Sequence, residues 1–170
     1  HCRAYPSLFI QKKTPFMPKS MLTPRNIGVT GCAYNMTLFV VNSGFSNARA
    51  VADLNPNMFS SFGQLMVLVW GLAYLAVGWD RGSHGGGIWW VFALEKLCYV
   101  IGWIQWHTTN DGWTILIDAW KEGGGFSAQL QAPFFHCVYG SGDALFGILF
   151  AYLGYNCLVG GDRTSDGKHD

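Results

Sequence analysis

Residues 88–106 read IWWVFALEKLCYVIGWIQW, nineteen positions holding four tryptophans and one adjacent charged pair, Glu95-Lys96, near the midpoint. A run this long and apolar can cross a bilayer as a helix, at about 1.5 Å of rise per residue over roughly 30 Å of hydrocarbon. A charge at mid-depth costs about 2.5–3.5 kcal/mol on insertion scales. Another part of the chain is therefore expected to receive the pair.

The rest of the composition agrees with a membrane setting. Half of the 170 residues are hydrophobic, 16% are aromatic and only 12% are charged. That charged share is about half the usual value for a soluble domain. The mean hydropathy of +0.18 is low for a membrane protein, but polar ends and Gly-rich loops dilute it, so the windows decide. A net charge of +1, with no Lys/Arg run longer than two, offers no surface for nucleic acid. Cys2, Cys32, Cys98, Cys137 and Cys157 are odd in number and show no CxxC or Cys/His spacing. Cys98, Cys137 and Cys157 lie inside apolar runs and are expected to be buried thiols, and the set implies neither a disulfide framework nor a metal site.

Working outward, residues 58–78 form an uncharged apolar run, with Gly63, Val67, Trp70, Tyr74 and Gly78 on one helical face. The short GSHGGG link to residues 88–106 predicts antiparallel neighbours. Residues 133–159 form a further span, with Pro133 suited to a helix first turn. Residues 27–41 are shorter and carry Asn35, and a span there is expected if Asn42 and Ser43 reach the interface. Residues 48–54 and 111–120 suit short helices lying in the interface, the second with Trp113 and Trp120 at headgroup level.

The fold expected is thus all-α and integral to a membrane: four transmembrane helices (27–41, 58–78, 88–106, 133–159), short interfacial helices, an extended basic arm over 1–26 and a polar tail over 160–170. Lys/Arg placement supports four spans. With both termini on one side, that side holds Arg3, Lys12, Lys13, Lys19, Arg25, Arg81, Arg163 and Lys168, against Arg49 and Lys121 opposite. This asymmetry places both termini on the stromal, matrix or cytoplasmic side. The chain starts at His1, and its first thirty residues are basic and free of acid. That pattern fits the remnant of an organellar import segment, with an ordinary basic cytoplasmic tail as the alternative.

Steps of three and four put Lys96 on one face with Trp89, Phe92, Tyr99 and Trp103, and put His136, Tyr139, Gly140, Asp143, Gly147 and Gly154 on one stripe. Lys96 and Asp143 fall at similar depth in antiparallel helices, so an intramembrane Lys96–Asp143 ion pair is the economical expectation. Glu95 then pairs alternatively or meets a partner chain. These groups either fix helix register or mark a proton path. His136, His107 and Glu95 are the candidate chlorophyll ligands, imidazole being a common axial ligand, and a hydrogen-bonded interfacial histidine is the plainer reading of both rings. No nucleophile elbow, P-loop, HExxH or dinucleotide fingerprint is present, so no enzyme is expected.

Tyr34-Asn35, Trp70-Gly71-x-x-Tyr74, Lys96 among aromatics and the Gly-rich surroundings of Asp143 resemble a class of small bacterial four-helix membrane proteins of unassigned function. The resemblance covers roughly residues 30 to 155. The basic arm, the aromatic stretch 111–120 and the non-Trp residues after Asn35 depart from it. Such additions are what recruitment into a larger assembly would bring. The ExxNxR or ExxHxR motif of light-harvesting antennae is absent.

The expectation is a non-catalytic accessory subunit of a photosynthetic, photosystem-associated supercomplex in a plastid thylakoid. It would pack against larger subunits and lipids, with chlorophyll and carotenoid at subunit interfaces. A mitochondrial inner membrane or bacterial plasma membrane is the alternative location. A proton-linked carrier using Glu95, Lys96 and Asp143, or a respiratory accessory subunit, is the alternative role.

Overall fold

A computed structural model describes residues 22–41, 48–80, 86–123 and 128–161. The arm over 1–21, the tail over 162–170 and most of the two Gly-rich links lie outside the described residues. All regular structure among the described residues is helical: α1 (Pro24–Val41), α2 (Ala48–Leu54), α3 (Pro56–Phe59), α4 (Ser61–Trp79), α5 (Gly87–Asn110), α6 (Gly112–Gly123) and α7 (Ala128–Gly161). Among the described residues three helices are long and apolar enough to cross a membrane: Ser61–Trp79, Gly87–Asn110 and, within α7, Leu130–Val159. At 18 residues α1 has the length, but Arg25, Asn26, Thr30 and Asn35 lower its apolarity.

Several boundaries differ from the expectation, each for a local reason. Helix α1 begins at Pro24, three residues early. Thr23 caps it by accepting the Asn26 N–H at 3.2 Å, and proline is tolerated in a first turn because its missing N–H would go unused there. The expected span 58–78 is broken at Ser60, whose backbone is extended (φ −52°, ψ 165°) and whose hydroxyl accepts the Gly63 N–H. Asn55 caps the preceding turn by accepting the Met58 N–H, and the buried Gln64 amide donates to the Phe59 carbonyl at 2.8 Å. These side chains satisfy the backbone groups that the break exposes.

Helix α5 runs four residues past Trp106 and stops at Asp111, a left-handed residue with φ 51° whose N–H donates to the His107 carbonyl. A single residue thus separates α5 from α6. Gly112, the next position, has no room for a side chain, because a β-carbon there would overlap the His107 and Trp106 rings. Helix α7 begins at Ala128, which puts Pro133 inside the helix and not in its first turn. Buried Leu130 and Ala132 anchor this early segment, which offsets the one backbone hydrogen bond that proline removes.

Packing joins two antiparallel pairs, α1 with α4 and α5 with α7, while α1 also touches α7. The α1–α4 crossing is set by Gly28 and Gly78: a β-carbon on Gly28 would lie 2.9 Å from the Gly78 Cα. Small residues at such crossings let backbones approach closely. Helices α4 and α5 were expected to be antiparallel neighbours. They meet through large rings, with Trp70 and Tyr74 edge-on to Phe92. Two apolar clusters form the core. One centres on Tyr74, Trp89, Phe92 and Phe150. The other centres on Phe59, Val67, Phe135 and Tyr139.

Candidate functional site

Where the two clusters meet, four helices bring polar groups to one point. Lys96 on α5 is fully buried. Its ammonium lies 2.6 Å from Asp143 Oδ1 on α7, donates at 3.4 Å to Asn35 Oδ1 on α1, and stands 3.8 Å from Glu95 Oε1. The rings of Tyr34, Tyr74, Tyr99 and Tyr139 surround it, with centroids 5.2–5.8 Å away. Ring faces at this range attract a cation, and more so when it is desolvated.

The surrounding groups are themselves held. Asn35 donates its amide to the Val67 carbonyl on α4 at 2.7 Å. Tyr74 donates its hydroxyl to Glu95 Oε2 at 2.5 Å, and the Tyr34 hydroxyl donates to the Tyr139 carbonyl. A buried ion pair repays its desolvation only with good geometry and further hydrogen bonds. Here Asn35, Tyr74 and the tyrosine faces supply them. Glu95 Oε1, Asp143 Oδ2 and the Tyr139 hydroxyl have no hydrogen-bond partner among the described residues. Two carboxylates thus face one ammonium, and each keeps one oxygen free of hydrogen bonds.

The two histidines lie elsewhere, where the C-terminal end of α5 meets the N-terminal part of α7. Their ring centroids are 5.4 Å apart. His136 is buried, with its ring 4.1 Å from that of Trp106 and its Nε2 2.9 Å from the Asn55 amide nitrogen. The amide can only donate there, so Nε2 is the acceptor in this arrangement. His107 stacks on Trp113 at 4.8 Å, lies edge-on to Trp103 and Trp106, and has its Nε2 3.8 Å from Cys137 Sγ.

Axial ligation of a chlorophyll needs a free ring nitrogen facing an open plane. Asn55 holds His136 Nε2, aromatic rings flank His107 and Tyr74 holds Glu95 Oε2, while Nδ1 of each histidine is buried without a hydrogen-bond partner among the described residues. No cluster of three His, Cys, Asp or Glu placed for a metal ion occurs among the described residues.

Lys96, Asp143 and Glu95 therefore come together, while His107 and His136 form a second, aromatic-walled cluster. The tyrosines were not assigned from the sequence as a group. Their shared signal is depth: Tyr99 and Tyr139 each lie three or four residues from Lys96 or Asp143, and Tyr74 and Tyr34 lie on the inward faces of α4 and α1. A scan of family models finds no match to this chain, and searches of curated proteins and of solved structures likewise find none.

Proposed function

We propose that the protein is a non-catalytic integral subunit of a larger membrane assembly, a photosynthetic supercomplex being the setting that its composition favours. The observation that carries this reading is the contrast between interior and exterior. The interior is pinned by the Lys96 network. The outer faces of α4, α5 and α7 present large apolar and aromatic side chains, among them Phe62, Leu72, Trp90, Leu94, Ile148 and Tyr155. Such faces suit lipid, pigment rings and the helices of larger subunits, and carotenoid or chlorophyll would be held by contact there.

In this reading α1 is a fourth span, because it lies antiparallel to α4 and delivers Asn35 to the depth of Lys96. Helices α2 and α6 lie in the interface, with exposed Trp113 and Trp120 suited to headgroup level. Both termini share the stromal side. Gentle solubilisation and fractionation of the native membrane tests the proposal. The protein is expected to migrate with larger subunits in a fraction showing pigment absorbance. Migration alone and colourless would remove the reading, and haem absorbance would move it to a respiratory assembly.

A second reading, a proton-linked carrier, is favoured by the two carboxylates facing one ammonium, since intramembrane ionisable groups mark such paths. Flux in proteoliposomes that persists in both Lys96→Met and Asp143→Asn would eliminate it.

A further inference from the structure

A cavity of about 390 Å³ opens between the C-terminal half of α5 and the short helix α3 with its cap Asn55. That volume lies within the roughly 300–1,000 Å³ typical of small-molecule sites. Its wall is held in place by side-chain hydrogen bonds. Trp106 donates its indole N–H to the Leu54 carbonyl at 3.1 Å, and buried Asn55 is fixed between the Met58 N–H and His136 Nε2. Twelve residues of α5, about 18 Å of helix, separate Cys98 at one end of the cavity from Asn110 at the other. With α5 across a bilayer, Cys98 lies near mid-depth and Asn110 at the interface.

The lining changes character along that length. Met58, Gly102 and Cys98 make the inner part apolar, Cys98 being exposed where burial was expected. Asn57, Gln105, Thr109 and Asn110 make the outer part polar, and no lining residue is charged. The Asn57 and Gln105 side chains are exposed and have no hydrogen-bond partner among the described residues, so both carboxamides are able to turn to an occupant. Thr109 donates its hydroxyl to the Gln105 carbonyl at 2.8 Å, and Asn110 donates its amide to the Trp106 carbonyl at 3.0 Å. Their side-chain oxygens remain as acceptors. This set matches a head that donates as well as accepts and carries no charge. A phosphate only accepts, finds no Lys or Arg in the lining, and meets the carbonyl end of α5, whose partial charge is negative. An ammonium suits that end, but in a phospholipid it brings the phosphate with it.

We propose that this cavity binds one lipid with an uncharged sugar head, its hydroxyls bonded to Asn57, Gln105, Thr109 and Asn110 and an acyl chain lying along Met58 and Gly102. The apolar inner part takes a chain that a free sugar lacks. The site rests on α5 crossing the membrane and does not depend on the subunit role proposed above.

The test uses the full chain in phosphatidylcholine nanodiscs with three diazirine-bearing diacyl lipids that share their chains and differ in head: hexosyl, phosphocholine and phosphoethanolamine. Mass spectrometry locates the adducts. The hexosyl probe is expected to label residues 55–58 and 98–110 about ten-fold more than either phospholipid, the effect of one or two neutral hydrogen bonds. The double variant Asn57→Leu/Gln105→Leu is expected to bring hexosyl labelling down to the phospholipid level without changing thermal unfolding. Gln105→Leu alone serves if the double variant does not fold. Equal labelling by the three probes would make the cavity a slot that ignores the head, and would overturn the proposal. A preference for either phospholipid, hexosyl labelling unchanged in the variant, labelling elsewhere or none would overturn it as well.

Discussion

Lys96 illustrates how a costly residue becomes a fixed point. Its ammonium is desolvated, but Asp143, Asn35 and four tyrosine rings surround it. Removing one partner of a buried pair is worse than removing both. Lys96→Met is expected to destabilise the protein by about 3–5 kcal/mol, because it leaves the Asp143 carboxylate unpaired in an apolar interior. The double variant Lys96→Met/Asp143→Leu is expected to recover most of that loss. Denaturant titration in mixed micelles measures both, and equal stability of the single and double variants would contradict the account. Tyr74→Phe, which takes the donor from Glu95 Oε2, is expected to cost about 1.5–3 kcal/mol in the same assay. Lys96 and Asp143 are legible in sequence because each marks a helical stripe and the two stripes run antiparallel. The Glu95 partner was not, because Tyr74 lies on a different helix and reaches it only through the way α4 and α5 pack. The enclosure of His107 and His136 was equally hidden, since Asn55 and three tryptophans from different segments create it.

At the scale of elements, helical periodicity and breakers located the helices, and capping chemistry moved their ends. Pro24 and Pro133 show why. Proline stops helices on average, yet Pro24 occupies a first turn and Pro133 is carried by the buried Leu130 and Ala132 on its N-terminal side. The break at Ser60 has a weak sequence signal, since a serine and a glycine three residues on also occur inside membrane helices. Two tests belong here. Asp111→Val is expected to cost about 1–2 kcal/mol, because a branched side chain resists the left-handed conformation. Asp111→Gly is expected to retain or raise stability, and thermal unfolding distinguishes the two. Gly78→Val is expected to cost about 1–3 kcal/mol by forcing α1 off α4, where a β-carbon would approach the Pro24 carbonyl at 2.8 Å. Hydrogen exchange should then rise in α1 first, and unchanged exchange there would contradict the crossing described.

For the whole molecule, the membrane reading rests on three long apolar helices and on a polar cluster that only a fourth helix, α1, completes through Asn35. Composition made the membrane setting legible. It left the number of spans open, because α1 has the length of a span without the apolarity of the other three, and its depth depends on its pairing with α4. The basic residues then fix an orientation only if α1 crosses. Lys19 and Arg49 flank that helix in sequence. In a variant lacking the native cysteines, Lys19→Cys and Arg49→Cys are introduced singly and exposed to a membrane-impermeant maleimide in sealed, uniformly oriented vesicles. The account predicts that the two positions label from opposite faces of the membrane; labelling of both from the same face would show that α1 does not cross, and would contradict it.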